Sequence, residues 1–237
     1  MTTGPERNDL LAFLPERVKE RVFPLLREIE LPLGKEIFAA GQDEKHVYFP
    51  ADCVISLLYV MLDGHSAEIS IVGHDGIVGV AVFMGGDSTP SRAVVQGAGT
   101  AYRLPASDLR REFHNDAATR MLMLRYTQAL ITQMGQTAVC NRHHHIDQQL
   151  ARWLLLSLDR LPTNELTMTQ ELIANMLGVR REGVTEAARK FQDLGVIRYR
   201  RGHITVLDRP KLEELSCECY AVVKQETDRL TVFAEHL

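Results

Sequence analysis

The sequence lacks most of what marks an enzyme, a secreted domain or a membrane protein. Four cysteines, Cys53, Cys140, Cys217 and Cys219, stand in 237 residues. They are too few and too scattered for a disulfide framework, and none forms the paired C-x-x-C of a zinc site. Cys217-Glu-Cys219 reads as part of a C-terminal helix, where i and i+2 point to different faces. Four plain thiols in a reducing compartment are therefore expected, with no metal and no cofactor. There is no Gly-x-Ser-x-Gly elbow, no phosphate loop and no Cys–His pair with an orienting acid, so no residue is assigned a catalytic role. The longest uncharged apolar run, Cys53–Leu62, is about half the length of a membrane helix. Its β-branched and aromatic content suits a buried strand, and no membrane partner is expected. Residues 1–9 show no secretory signal pattern and read as a loose leader, so a cytoplasmic protein is expected. The net charge of -4 is too small and of the wrong sign for a protein that coats nucleic acid generally.

What is present concentrates between Thr167 and Leu207. Ile173, Ala174 and Leu177 share one helical face. Val184, Ala187, Ala188, Phe191 and Leu194 share another, at steps of three and four. Gly178 stands between them, where a tight turn needs φ > 0. This is the pattern of a helix-turn-helix whose second helix enters the major groove. Arg180, Arg181 and Glu182 occupy the first turn of that helix, where an arginine can bond guanine bidentately and a glutamate can accept from cytosine. Between Gly178 and Arg201 seven basic residues face three acidic ones, a reversal of the chain's overall charge that suits phosphate neutralisation. Ile197–Tyr199 and His203–Val206 then alternate like two strands with Arg200-Arg201-Gly202 at the tip, which predicts a basic hairpin, or wing.

Thr169-Gln170-Glu171, Gly178-Val179-Arg180-Arg181-Glu182-Gly183-Val184 and Leu194-Gly195-Val196-Ile197 together resemble the C-terminal domain of the Crp/Fnr family of bacterial transcription regulators. The family's base-reading arginine and glutamate fall on Arg181 and Glu182. The resemblance implies a DNA interface of Thr169, Arg180, Arg181, Glu182, Thr185, Arg198, Arg200 and Arg201, the last three on the wing. Three positions depart from the family pattern: Arg180 stands where a capping Ser or Thr is usual, Gly183 replaces another, and Glu186 replaces a second base-reading arginine. The mode of binding is carried over; the operator sequence is not. Oxygen-sensing members hold an iron–sulfur cluster on clustered N-terminal cysteines, and no cysteine precedes Cys53.

The N-terminal half fits the same family. Leu10, Leu11, Leu14, Val18, Val22, Leu25 and Leu26 recur at helical spacing over Asn8–Ala12 and Pro15–Leu26. From Ile29 the period becomes two, in short strands punctuated by Gly34, Gly41, Asp63-Gly64 and Gly73-His74-Asp75-Gly76. Many short strands with frequent turns predict an antiparallel sandwich or barrel. The order helix, strands, helix resembles the jelly roll of cyclic-nucleotide-binding domains. In such domains a glycine, a glutamate and an Arg-Ser pair hold ribose and phosphate. Here Gly79 matches the glycine, Val80 stands where the glutamate belongs, and Ser91-Arg92 reverses the pair. Valine cannot accept a hydroxyl proton, so a cyclic nucleotide is disfavoured at Gly79, Val80, Ser91 and Arg92. The alternatives are another anion or a more apolar molecule in the same effector cavity, or a degenerate pocket with Arg92 a surface or structural charge and regulation by level or by a partner protein. His65 and His74 sit alone in turns and form no His-x-His metal motif.

A long helix runs from Ala117 to about Arg142. Met123, Thr127, Leu130, Met134 and Thr137 approximate a seam at 3.5 spacing, in the place of the family's dimerisation helix. His143-His144-His145 splays on a helix and reads as a junction rather than a chelator. Ile146–Leu158 opens the last domain, and Asp208-Arg209-Pro210 starts a final helix to about Leu230. The expected architecture is α+β: a cyclic-nucleotide-binding-like jelly roll over residues 1–115, a dimerisation helix over 116–145, and a winged helix-turn-helix over 146–237. The expected partners are double-stranded DNA, a second copy of the chain and a small-molecule effector, with RNA polymerase open as a further one. The competing reading is a nucleotide- or protein-binding sensory module without DNA binding. The basic wing tip argues against it.

Overall fold

The computed structural model describes residues 4–232. Met1–Thr3, the start of the predicted leader, lie outside the described residues. The rest of that segment is not loose. Asn8 is fully buried, caps α1 (Asp9–Ala12) through Leu11 N, and donates from Nδ2 to the carbonyls of Pro50 and Gly76, both at 2.9 Å. Arg7 bonds Tyr102, Asp52 and Glu28. Sequence reading missed this because polar side chains that anchor to distant backbone look the same as solvated ones.

After α1 and α2 (Glu16–Val22) come strands β1 (Arg27–Leu31), β2 (Glu36–Phe38), β3 (His46–Pro50), β4 (Val54–Val60) and β5 (Ser66–Val72). The short α3 (Ala81–Met84) precedes β6 (Arg92–Gly97) and β7 (Gly99–Pro105), and α4 (Ala106–Asn115) closes the unit. Two antiparallel sheets, in the orders β1-β7-β3 and β2-β6-β4-β5, face each other as the predicted jelly roll. Phe49, Ile55, Ile77, Val82, Ala93 and Leu104 are among the side chains that fill the space between them. Asp63-Gly64 turns the β4–β5 hairpin, with Gly64 at φ 87°.

Helix α5 (Ala117–His143) then runs for 27 residues. Asp116 caps it by accepting from Thr119 N at 2.8 Å. The predicted dimer seam is taken up by the chain's own core. Met123, Thr127, Leu130 and Thr137 are buried and Met134 is partly buried within this one chain. The exposed face instead carries Met121, Leu124, Gln128, Ile131, Gly135, Ala138 and Arg142, at alternating steps of three and four, the spacing of a coiled-coil seam. Ile131 is 55% exposed and nothing lies within 4 Å of where a Cβ on Gly135 would stand. Periodicity could not choose between these stripes, because α5 is apolar on two faces and the sandwich takes one.

Helix α6 (Ile146–Leu158) matches its predicted span and is buried almost all round. Leu150, Trp153 and Leu154 share a core with Val54, Leu58 and Ile71 of the jelly roll on one side and with the winged domain on the other. The winged domain comprises β8 (Glu165–Thr167), α7 (Gln170–Leu177), α8 (Arg181–Asp193), β9 (Ile197–Arg200) and β10 (His203–Val206). Strand β8 was not anticipated. It pairs with β10 to complete a three-stranded sheet in the order β8-β10-β9. Three residues are too few to show alternation. Gly183 finds its reason in packing: a Cβ there would stand 2.5 Å from Ile146 Cδ1, so the glycine lets α8 close on α6.

The single predicted C-terminal helix is two, α9 (Arg209–Leu215) and α10 (Glu218–Val232), broken at Ser216-Cys217. Helix α10 packs along α5, so the tail ties the last domain back to the long helix. No helix among the described residues is long and apolar enough to cross a membrane.

Candidate nucleic-acid interface and effector cavity

Thr169 begins the interface as the N-cap of α7, its Oγ1 accepting from Leu172 N. Gly178 ends that helix at φ 65°, in the left-handed region where glycine carries no Cβ penalty. The chain then re-enters helix at Arg181, with Arg180 as an N-cap that makes no side-chain capping bond. The unused amides and the helix dipole leave this tip electropositive. Val184, Ala187, Ala188 and Phe191 bury the inner face of α8, which forces Arg180, Arg181, Glu182 and Thr185 outward. The Thr185 hydroxyl lies 2.8 Å from Gln170 Oε1 and 3.0 Å from the Arg181 carbonyl, so it braces the two helices.

The wing is a two-residue hairpin. Arg201 at φ 50° and Gly202 at φ 82° form the turn, the all-positive φ pattern that suits strand twist. Ile197 and Tyr199 point inward on β9, and the Tyr199 hydroxyl donates to the Met168 carbonyl at 2.8 Å. Burial pushes the Tyr199 phenol up and the Arg181 charge pulls it down. Arg198 and Arg200, two residues apart, point outward. Thr169, Arg181, Tyr199 and Arg201 line one open cleft of about 450 Å³ between α7, α8 and the wing.

Charge pairing separates the seven basic residues. Arg189 pairs with Asp193 and Lys190 with Asp147 at 2.5 Å. Among the described residues, no ion pair engages Arg180, Arg181, Arg198, Arg200 or Arg201, and all five are exposed. Five exposed guanidinium groups on the α8 tip and the wing, free of ion pairs among the described residues, are a surface prepared for phosphate. The base of the helix-turn-helix also meets the jelly roll. A Cβ on Gly178 would stand 3.3 Å from Ala67 Cβ, and Arg180, Arg181 and Glu182 share a groove with Tyr59, Met61 and His65 of the β4–β5 hairpin.

The jelly roll holds a separate cavity of about 360 Å³ between its sheets and α5. Gly79, Val80 and Ser91 line it, as expected. Arg92 does not. It opens β6 and points out of the cavity to Glu36, 2.6 Å away, whereas Ser91, in the bend before the strand, faces in. Reversing the Arg-Ser order therefore exchanges which residue faces the ligand. Phe38, Leu57, Ile69, Ile77 and Met134 give the cavity an apolar wall. Sequence reading missed its one charged group, Glu44. Both Glu44 carboxylate oxygens are buried without a hydrogen-bond partner among the described residues, and burial pushes the carboxyl up to about 7. No local signal marks Glu44, which lies in a polar loop and is brought against Gly79 only by the fold.

The thiols are not independent either. Cys140 at the end of α5, Cys217 between α9 and α10, and Cys219 in the first turn of α10 converge, with Cys140 Sγ and Cys217 Sγ 3.5 Å apart. Cys217 precedes the helix, so the divergence of i and i+2 side chains on a helix does not separate it from Cys219. The histidine run does mark a junction, with α5 ending at His143 and α6 capped by His145, but His144 turns in toward Cys219.

Comparison with known proteins agrees with these two units. Residues 28–116 match the cyclic nucleotide-binding domain model and residues 148–215 match the Crp-like helix-turn-helix domain model. Together the two matches span about two thirds of the chain. Among solved structures, a transcriptional regulator assigned to the Crp/Fnr family from Eubacterium rectale is similar at 20% identity, with a TM-score of 0.69, over 89% of this chain and 98% of that one. FixK2 from Bradyrhizobium japonicum is similar at 16% identity and TM-score 0.67, over 81% and 98%. The c-di-GMP responsive global regulator CLP of Xanthomonas campestris is similar at 16% identity and TM-score 0.63, over 81% and 99%. No protein of curated function matches.

Proposed function

The chain belongs to the Crp/Fnr family of transcription regulators, and from that premise we propose that it acts as a homodimer reading a two-fold operator in double-stranded DNA. Residues 1–115 form the sensor, 116–145 the dimerisation helix and 146–237 the DNA-binding domain. Arg181 and Glu182 read base edges from the tip of α8. Arg180, Arg198, Arg200, Arg201 and Thr169 contact phosphates, and Thr185 holds the helices in register. The single observation that carries this reading is the set of five exposed, unpaired arginines on one helix tip and one wing. A sensory module without DNA binding would have no use for that uncompensated charge.

Fluorescence anisotropy with DNA from upstream of the protein's own coding region tests it. Arg181→Ala should cost about 1–3 kcal/mol on the operator and relax selectivity at one base pair. Arg200→Ala should weaken operator and random DNA alike and flatten the salt dependence by about one phosphate contact. Equal effects of the two changes on both DNAs would remove the base-reading assignment.

The effector we propose is a small, mostly apolar molecule carrying a hydrogen-bond donor or positive charge that meets Glu44. The lining supports this: a cyclic phosphate would find no guanidinium in the cavity and would face a carboxyl. Occupancy would act by favouring one arrangement of the α7–α8 unit against the β4–β5 hairpin. Cyclic AMP, cyclic GMP and cyclic di-GMP, each in large excess, should leave the melting temperature unchanged. Binding at a hundred times Kd would add about 2.7 kcal/mol, so a clear upward shift with any of them would refute this part.

A further inference from the structure

Four potential metal donors from two distant parts of the chain meet where the long helix ends. Cys140 lies in the last turn of α5 and His144 is its C-cap, its amide donating to the Cys140 carbonyl at 3.0 Å. Cys217 and Cys219 flank the start of α10. The donor atoms, three Sγ and one His144 ring nitrogen, all lie within 4.8 Å of one another. Cys140 Sγ and Cys217 Sγ are 3.5 Å apart, and Cys219 Sγ is 3.6 Å from His144 Nδ1. From Zn–S and Zn–N bond lengths, a tetrahedral zinc would place two sulfurs about 3.8 Å apart and a sulfur and nitrogen about 3.6 Å apart. These two edges thus stand within a few tenths of an ångström of a tetrahedron's, and no other donor pair exceeds 4.8 Å. An iron–sulfur cluster fits less well, because it spreads its thiolates over separate irons, whereas these donors crowd round one point.

The surroundings complete the argument. All three cysteines are buried and the His144 side chain is 14% exposed, so no water shell competes. His144 Nε2 faces Glu218 Oε2 at 3.3 Å, the carboxylate–histidine pairing that fixes the ring of a zinc ligand. Three thiolates and a neutral imidazole around Zn²⁺ carry a net charge of −1. Arg152 is 3% exposed, within electrostatic reach of Cys140 and Cys219, and its Nε has no hydrogen-bond partner among the described residues. Arg152 Nη1 bonds Thr137 Oγ1 and the guanidinium also acts on Glu68; an anionic zinc centre would add a counter-charge on its other side.

We propose that Cys140, His144, Cys217 and Cys219 form a structural Zn²⁺ site that pins the C-terminal helix to the elbow between the long helix and the DNA-binding domain. Binding displaces one proton from each thiol to solvent and changes no oxidation state. The site has no open position for a substrate. Its consequence is mechanical: with zinc bound, α10 and the α5–α6 junction are one body, and without it the elbow loosens.

The test uses the full chain, purified under reducing conditions without chelator. Metal analysis should return about one zinc per chain. Cobalt replacing zinc should give the intense visible bands of a tetrahedral thiolate site. Cys217→Ser should lose the metal, His144→Cys should keep it, and Glu218→Gln should weaken it about 10- to 100-fold in competition with a chromogenic chelator. Stripping the metal should raise amide hydrogen exchange over residues 140–149. A chain that, folded by circular dichroism and supplied with zinc chloride, takes up no stoichiometric zinc would overturn the proposal. So would an octahedral cobalt spectrum, a His144→Cys protein that cannot hold zinc, or a Cys140–Cys217 disulfide formed in place of metal binding.

Discussion

Ile131→Glu should convert the protein to a monomer and lower its affinity for the complete operator about a thousandfold or more, toward the level of non-specific binding. Ile131 is the most exposed of the large apolar residues on α5. It sits centrally on the stripe that runs from Met121 through Leu124, Gly135 and Ala138 to Arg142. In one chain alone this stripe is bare helix surface, so a glutamate there should leave the subunit's own stability within about 0.5 kcal/mol. In a parallel dimer the same side chain would lie on the seam, opposite its own copy, and two like charges would be forced together out of water. One helix-turn-helix holds too few contacts to bind specifically, whereas two read half-sites about 34 Å apart. Sedimentation and anisotropy on one sample decide the matter. Leu130→Glu, one position away but buried in the chain's own core, should unfold the sensor instead. A variant at Ile131 that remains dimeric and binds the operator normally would place the subunit contact elsewhere.

Glu68 should contribute about 3 kcal/mol of stability that is lost between about pH 4.5 and pH 7, and Glu68→Gln should remove that fall. Glu68 lies buried between the jelly roll and α6. Its Oε1 accepts from Trp153 Nε1 at 3.0 Å, and its Oε2 is 2.6 Å from Ser56 Oγ. Ser56 Oγ also lies 2.5 Å from Gln96 Oε1, and Gln96 Nε2 donates to Ser157 Oγ at 2.9 Å. One hydroxyl proton cannot serve both Glu68 and Gln96. A protonated Glu68 resolves the chain by donating to Ser56, which then donates to Gln96. Burial pushes this carboxyl up to about 7, against the opposing pull of its hydrogen bonds and of Arg152 and Arg160. Because the folded value lies above the unfolded one, the folded state holds the extra proton between the two. The stabilisation is complete below the unfolded value near 4.5 and is lost as pH rises through about 7. Glu44 and His74 are raised in the same direction and His46 is lowered, so the quantity to measure is the difference between the profiles of wild type and variant. Glutamine can accept from Trp153 and donate to Ser56, so it imitates the neutral acid at every pH. Coincident profiles would mean that Glu68 stays charged in the fold.

The division between what could be read and what could not follows residue by residue. The helix-turn-helix was legible because its determinants are local: Thr169 caps one helix, Gly178 turns at φ 65°, and Val184 to Phe191 keep one helical face. The jelly roll was legible from period-two strands and from Asp63-Gly64, although β6, β7 and β8 were not picked out. Arg92 was misplaced because the way it faces is set where the chain bends into β6 and pairs with its partner strands, not by the two residues themselves. Glu44, Glu68 and the Cys140–Cys217 pair were invisible because each gains its character from atoms far away in the chain.

By itself the sequence determined the two kinds of domain, the order in which they occur, and which helix tip and ribbon carry the positive charge. Only the tertiary structure decided which of two apolar stripes on α5 is left bare. It also decided which residue of Ser91-Arg92 enters the cavity, and that three thiols and an imidazole meet at one point. The physical reason is range. Caps, turns and periodic faces are fixed by neighbours within a few positions, whereas burial, desolvation and donor geometry are properties of space, set when segments such as α5 and α10 pack against each other.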